Sequence, residues 1–259
     1  NQVPSPEITV YNGADNTAPE LTDAQVGIVD FGTEIQGSDI TQTFSIENVG
    51  TLDLTISSIT VDDASFSINS SISTIAAGAT ETFTITLSGA SIGSFSGEVS
   101  IGSNDTDENP FTFSVSGEIV EPPAPEIDIY AGIDNTAPSI SNGQVTTIDF
   151  GSVLQGSDLV QTFAIENTGT ADLSISNITS SDASFSISNS ISTIAAGATE
   201  TFSISLSGST VGSFTADITI TNDDADEGTF IFPVVGEITA PEIALYAGSD
   251  NTGTSITSD

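Results

Sequence analysis

The strongest constraint on this chain is an internal repetition that runs without a gap. Pro6, Tyr11, Asp15, Phe31, Phe44, Phe83, Gly93, Phe111 and Gly117 return 119 residues later as Pro125, Tyr130, Asp134, Phe150, Phe163, Phe202, Gly212, Phe230 and Gly236. Such constant spacing makes each copy one structural unit with loops of equal length. A third copy opens at Pro241, where PEIALYAGSDNT follows PEITVYNGADNT and PEIDIYAGIDNT, and it reaches Asp259 before its own counterpart of the DFG segment. The expected organisation is a linker over residues 1–5, a repeat over 6–120, a proline-rich linker over 121–124, and a second repeat over 125–239. Residues 240–259 are then either the first strand of a third repeat or a strand exchanged with another subunit.

A unit of this size is large enough to bury roughly two-thirds of its unfolded surface in a core of its own. Inside each unit the apolar period is two, as in Phe44/Ile46, Leu52/Leu54/Ile56, Phe83/Ile85/Leu87 and Phe111/Phe113/Val115, with Ser or Thr between. That alternation describes strands with one buried and one wet face. Turn signals such as Asn48-Val49-Gly50, Ala76-Ala77-Gly78 and Ser103-Asn104-Asp105 punctuate the runs, and no stretch keeps a helical period. The predicted fold is all-β: tandem immunoglobulin-like antiparallel β-sandwiches of about seven strands each. The 14 Phe share the parity of Ile, Leu and Val and are therefore expected in the core.

The order DFG, TF-I-N-GT-L-I, TIAAGATETF, GSF, an acidic ND-D-E turn and a closing F-F-V-GEI resembles the choice-of-anchor D repeats, in both copies and throughout their length. The resemblance implies Hydin-type immunoglobulin-like sandwiches of the kind found in tandem arrays in large secreted or surface-anchored bacterial proteins. It leaves activity open.

The chain departs from that family's usual composition in its charge. It carries 36 acidic side chains and no Lys, Arg or His, for a formal charge of −36. No salt bridge can form between its side chains, and the surface disfavours nucleic acid and anionic membranes. Such a surface suits a salt-rich medium or bound cations; equally, it keeps a module soluble with no specific ion. Without Cys there are no disulfides and no thiolate sites, and without basic residues the usual general bases and oxyanion clamps are missing. Carboxylates alone could hydrolyse a glycosidic bond, but no Trp platform or long insertion is present to hold a sugar. The chain is read as no enzyme. No run approaches the roughly 18 apolar residues of a membrane span. The start, NQVPSPEI, resembles the linker VEPPAPEI rather than a signal peptide, so a piece of a longer protein is expected.

The candidate metal ligands are carboxylates. Asp105, Asp107 and Glu108 in SNDTDENPF match Asp224, Asp226 and Glu227 in NDDADEGTF, and alternating carboxylates in a turn suit a hard ion such as Ca²⁺. The plain alternative is a solvated hairpin whose Asn and Asp favour turn geometry. Asp15 and Asp134, in the thrice-used GxDNT, are expected at the opposite pole, so that neighbouring modules would bring Asp15 to Asp224, Asp226 and Glu227 beside linker acids Glu121 and Glu126. Glu47-Asn48 and Glu166-Asn167 read as turns with a hydrogen-bonding Asn, and Asp62-Asp63 as a solvated loop.

The expectation is a non-catalytic extracellular or cell-surface structural protein, a stalk or filament of acidic modules. It would polymerise with itself head to tail by β-strand exchange and be rigidified by divalent cations, with neither nucleic acid nor membrane insertion. The alternative is an adhesin or a carbohydrate- or protein-binding module within a very long array, acting on a surface receptor or glycan.

Overall fold

A computed structural model of the chain describes residues 3–188, 190–243, 245–247 and 254–256. The chain divides into two compact units, Asn1–Pro122 and Pro123–Asp259. In the first, β1 (Ile8–Tyr11), β2 (Glu20–Leu21), β3 (Ile28–Ile35), β4 (Ile40–Asn48), β5 (Leu54–Val61), β6 (Phe66–Asn69), β7 (Thr74–Ile75), β8 (Thr80–Leu87), β9 (Gly93–Ser103) and β10 (Phe111–Val120) form two sheets. Their orders are β2-β1-β4-β8-β6 and β3-β10-β9-β5-β7, antiparallel except where β3 runs parallel to β10. All elements of the described residues are strands, so the fold is that of an immunoglobulin-like sandwich.

The second unit repeats this strand for strand. It contains β11 (Ile127–Tyr130), β12 (Ser139–Ile140), β13 (Ile148–Leu154), β14 (Leu159–Asn167), β15 (Leu173–Ser180), β16 (Phe185–Ser188), β17 (Thr193–Ile194), β18 (Thr199–Leu206), β19 (Gly212–Asn222) and β20 (Thr229–Thr239). The third copy forms β21 (Leu245–Ala247) and β22 (Thr254–Ile256), an antiparallel pair. Leu245 faces Ile256 as Val10 faces Leu21, so this hairpin reproduces the β1–β2 register.

Each unit has its own core, as the alternation requires. Phe44 and Phe83 face each other across β4 and β8 with ring centroids 5.5 Å apart, and Phe113 from the other sheet closes on Phe44 at 5.4 Å. Phe163, Phe202 and Phe232 repeat the triad at 5.5 Å and 5.5 Å. These rings hold the two sheets together, since each buries a large apolar area. One detail of the expected alternation fails: Leu52 precedes β5 and is 49% exposed, because the chain there is still in the turn after Asn48.

That turn fixes where each unit begins. Asn48, fully buried at the end of β4, donates through Nδ2 to the carbonyls of Leu52 and Ile75 and accepts at Oδ1 from the N–H of Gly50 and, at 3.4 Å, of Glu7. Val49 N and Thr51 N donate to the carbonyls of Glu7 and Ser5, so the segment leading into β1 lies along the turn. A Cβ on Gly50 would collide with the Ser5 carbonyl and the Glu7 N–H, which explains a glycine at this point. Asn167 and Gly169 do the same against Ala124 and Glu126. The Asn expected to hydrogen-bond in a turn does so, from inside the protein.

Candidate cation centre

The long antiparallel strands β9 and β10 meet in a turn beside the start of β1. Asp105 is 2% exposed there and accepts the Ile8 N–H at Oδ2 (2.8 Å), while its own N–H donates to Ser103 Oγ at 3.1 Å. In the second unit Asp224, 4% exposed, accepts the Ile127 N–H at 2.9 Å and donates its own N–H to Asn222 Oδ1 at 2.8 Å. A carboxylate can be buried in an apolar sandwich only if donors compensate its lost hydration. Burial pushes the Asp224 carboxyl up, but the N–H groups of Ile127, Asp226 and Glu227 outweigh it and hold the group below its ordinary value.

Around this anchor the carboxylates converge. Glu7, Asp105, Asp107 and Glu108 each offer an oxygen, all within 4.8 Å of one another; Glu126, Asp224 and Asp226 do the same in the second unit. A calcium-type shell with a radius of about 2.3–2.6 Å has a diameter of about 4.6–5.2 Å, so each set has the spacing to surround an ion of its own. An all-oxygen donor set selects hard cations over zinc or copper. Burial and mutual repulsion both act on the carboxyls of the cluster. Burial and then the charges of Asp105 and Asp107 raise the Glu7 carboxyl, and burial with Asp107, Asp105, Glu7 and Asp23 raises that of Glu108. Burial, Asp224, Asp226, Glu227 and Asp128 likewise raise Glu126. One oxygen, Glu108 Oε2, is buried with no hydrogen-bond donor.

Of the residues expected to bind metal, Asp105, Asp107 and Glu108 are brought together, and Asp224 with Asp226. Glu227 lies outside the second set, although burial, Asp224, Asp226 and Asp128 raise its carboxyl. Asp15 and Asp134 are occupied elsewhere. Asp15 Oδ1 accepts from the N–H (2.9 Å) and Oγ1 (2.6 Å) of Thr17, and Asp134 from those of Thr136, which lowers both carboxyls. In the GxDNT loop Asn16 reaches Glu47 at 3.2 Å, and Glu47 pairs in register with Thr9 of β1. Glu47, with no basic partner in the chain, takes its donors from Asn16 and from Tyr11 Oη at 3.0 Å. Burial, the Glu47 hydrogen bond and the charges of Glu47 and Glu20 push the Tyr11 phenol up to about 12.

Glu7 was missed by sequence reasoning. Its signal is the repeated PEI, in which an acidic residue immediately precedes the first buried strand position. Asp62 and Asp63, expected as a solvated loop, accept the N–H groups of Glu98 (2.7 Å) and Ser65 (2.8 Å). Asn104, which carries an N-glycosylation pattern, is engaged with Thr55 N at 2.8 Å and the Asp53 carbonyl at 3.2 Å.

Fold and site together define a tandem of acidic immunoglobulin-like sandwich modules, each with a carboxylate cluster where its first strand begins. The chain belongs to the HYDIN/CFA65/VesB-like Ig-like domain family, whose model matches residues 23–118 and 144–232. No curated protein matches it. Similar solved structures include a Porphyromonas gingivalis W83 protein of unknown function (13% identity, 89% of this chain and 99% of that one, TM-score 0.36). The PapD-like domain 7 of human CEP192 aligns at 18% identity over 47% of this chain and 91% of that one, with TM-score 0.33. The Vibrio cholerae VesB protease aligns at 15% identity over 36% of this chain and 29% of that one, with TM-score 0.29.

Proposed function

We propose that the chain is a non-catalytic structural segment of an extracellular stalk or filament, built from repeats of the choice-of-anchor D kind and stiffened by divalent cations of the calcium type. The observation that carries the reading is the duplication of a whole module down to single hydrogen bonds, Ile8 to Asp105 and Ile127 to Asp224, with a third leading hairpin following. Tandem units with separate cores and short proline-containing linkers suit a spacer. Among the described residues no helix is long and apolar enough to cross a membrane.

Mechanically, β1 leads into one sheet and β10 leads out of the other. Asp105 links the start of β1 to the β9–β10 turn. A cation held by Glu7, Asp105, Asp107 and Glu108 would strengthen that link where pulling force enters the module. The buried Glu108 oxygen without a donor, in a chain with no cationic side chain, supports this. Self-assembly is proposed through the third hairpin. The β21–β22 hairpin copies the register of β1–β2, and β1 enters its sheet by pairing with β4, the pairing an exchanged strand would make in another subunit. An open strand edge is a template for a second chain.

Two measurements test this reading. Thermal melting in chelator and in millimolar Ca²⁺, at matched ionic strength, gives a higher midpoint with Ca²⁺; equal midpoints remove the ion from the account. Deleting residues 241–259 reduces filaments seen by electron microscopy to monomers, whereas intact filaments after the deletion remove strand exchange through this hairpin.

A further inference from the structure

One sheet of each unit has two unlike edges. At the β3 edge, Asp30 Oδ1 accepts the Gly32 N–H (2.8 Å), Gln42 Nε2 donates to the Asp30 carbonyl (3.0 Å), and Glu34 Oε1 accepts the Ile35 N–H (3.0 Å). Gly32 is left-handed, with φ at 81°, and the β3–β10 register shifts beside it. Charged side chains, a bulge and side-chain bonds to the main chain are the usual means of keeping other strands off an edge. The β13 edge is treated alike, with Gly151 N on Asp149 Oδ1 (2.7 Å) and Gln161 Nε2 on the Asp149 carbonyl (3.0 Å).

The opposite edge shares the irregular register, at Ser57 in β5 and Ser176 in β15, but carries no charged side chain along its open stretch. β7 pairs only with Leu54 and Thr55 of β5, and the last bond on that side runs from Ile56 N to the Ser73 carbonyl. From Ser57 to Val61, β5 has β9 on one side and no described strand on the other. β15 repeats this: β17 covers Leu173 and Ser174, and the stretch from Ser176 to Ser180 follows. The two stretches read SSITV and SNITS, without charge, proline or glycine. Alongside β5 lies a groove of about 240 Å³, lined by Ile56, Ile59, Ile68 and Ile72 together with Ser57, Ser58 and Ser70.

We propose that this edge of β5, and its equivalent on β15, takes up an extended segment of a partner protein by β-strand addition. The segment has alternating apolar side chains and Lys or Arg at its ends. The strand period aims every second side chain of an added strand into the groove and the others into water. Charge selects the occupant. At this edge a second copy's β5 would bring its own Asp62 and Asp63 alongside with no cation between them, so pairing of two such edges is disfavoured, whereas a basic-ended segment is not. The open stretch of β5 ends at Asp62 and Asp63, and that of β15 reaches Asp182, so a basic flank finds carboxylates beside it in both units. The proposal is independent of the filament reading, since β5 and β15 contribute neither to the carboxylate clusters nor to the third hairpin.

The test uses the full chain and three labelled synthetic decapeptides of alternating Val and Thr: one with two Arg at each end, one with two Glu at each end, and one Arg-ended but N-methylated at alternate residues. Fluorescence anisotropy gives relative affinity, and amide chemical shifts give location. The expected result is saturable binding of the Arg-ended peptide, with shifts concentrated at 57–61 and 176–180, and binding at least about tenfold weaker for each of the other two. Equal binding of the N-methylated peptide overturns the proposal, because charge attraction alone would then suffice. So do shifts spread over the acidic surface, no binding at millimolar peptide, and pairing of copies through β5 seen by light scattering.

Discussion

The main-chain N–H of Ile8 donates to Oδ2 of Asp105 at 2.8 Å, across a sequence separation of 97 residues. This bond ties the first strand of one sheet to the terminal hairpin of the other, at the pole where the carboxylates gather. Its counterpart between Ile127 and Asp224, at 2.9 Å, shows that the link belongs to the module design and not to one copy.

Replacing Asp105 separates its two roles. Asp105→Ala leaves the buried Ile8 N–H without an acceptor and is expected to cost the first unit about 1–3 kcal/mol in urea unfolding followed with and without Ca²⁺. Asp105→Asn keeps an acceptor oxygen, so its loss in chelator is smaller while its Ca²⁺ response falls toward zero. An Asn variant that gains as much from Ca²⁺ as the parent removes Asp105 from the ion's ligands.

The response to pH follows from two opposed groups. The carboxyls of Glu7, Glu108, Glu126 and Glu227 lie above the ordinary value of 4.5 in the folded protein, so the native state binds their protons more tightly than the unfolded chain does. Their contribution is therefore full below pH 4.5 and is lost as pH rises through the raised values. Asp15, Asp134, Asp182, Asp223 and Asp224 lie below 3.8, and their contribution is full above that pH and lost as pH falls through the lowered values. In chelator, the melting midpoint should rise on acidification from neutral toward pH 4.5 and fall again under 3.8. Millimolar Ca²⁺ should abolish the rise, because ligation needs the ionised carboxylates. A midpoint that falls steadily from pH 7 in chelator contradicts this account.

Ser45 is fully buried in β4, between Tyr11 and Thr82 in register, and its hydroxyl has no hydrogen-bond partner. The equivalent residue of the second unit is Ala164, also fully buried. Ser45→Ala should raise the urea midpoint of the first unit by the equivalent of about 1 kcal/mol, and Ala164→Ser should lower that of the second by a similar amount. Loss of stability in Ser45→Ala would mean that the hydroxyl has a bound partner, such as water.

Salt should act on the whole molecule. With every side-chain charge of one sign, stability in chelator is expected to increase with NaCl as the Debye length falls from about 30 Å to about 3 Å. A flat urea midpoint over that range would show that the carboxylates are already dispersed or hydrogen-bonded enough to be neutral in effect.

Particular residues show how far the sequence could be read. The alternation around Phe44, Phe83 and Phe113 specified which side chains face inward, because a strand has only two faces and burial selects one. The acidic turns at Asp105 and Asp224 stood out for the same local reason, a pattern of carboxylates within a few residues. Glu7 did not, because its partners lie about a hundred positions away in the chain and only the packing of two sheets brings them close. Asp15 shows a purely local arrangement instead. Its loop looks like the acidic turns in composition, but its carboxylate is satisfied by Thr17 two residues on.

The sequence by itself determined the repeat, the all-β sandwich, the inward-facing aromatic residues and the absence of any cationic partner, since periodicity and composition are local or additive properties of a chain. Tertiary structure alone decided that Glu7 joins Asp105, Asp107 and Glu108, that Asn48 is buried, that Asn16 of the GxDNT loop meets Glu47, and that β5 keeps an open edge while β3 is guarded. Each of these depends on register between strands distant in sequence, and register is set by the packing of the two faces against each other.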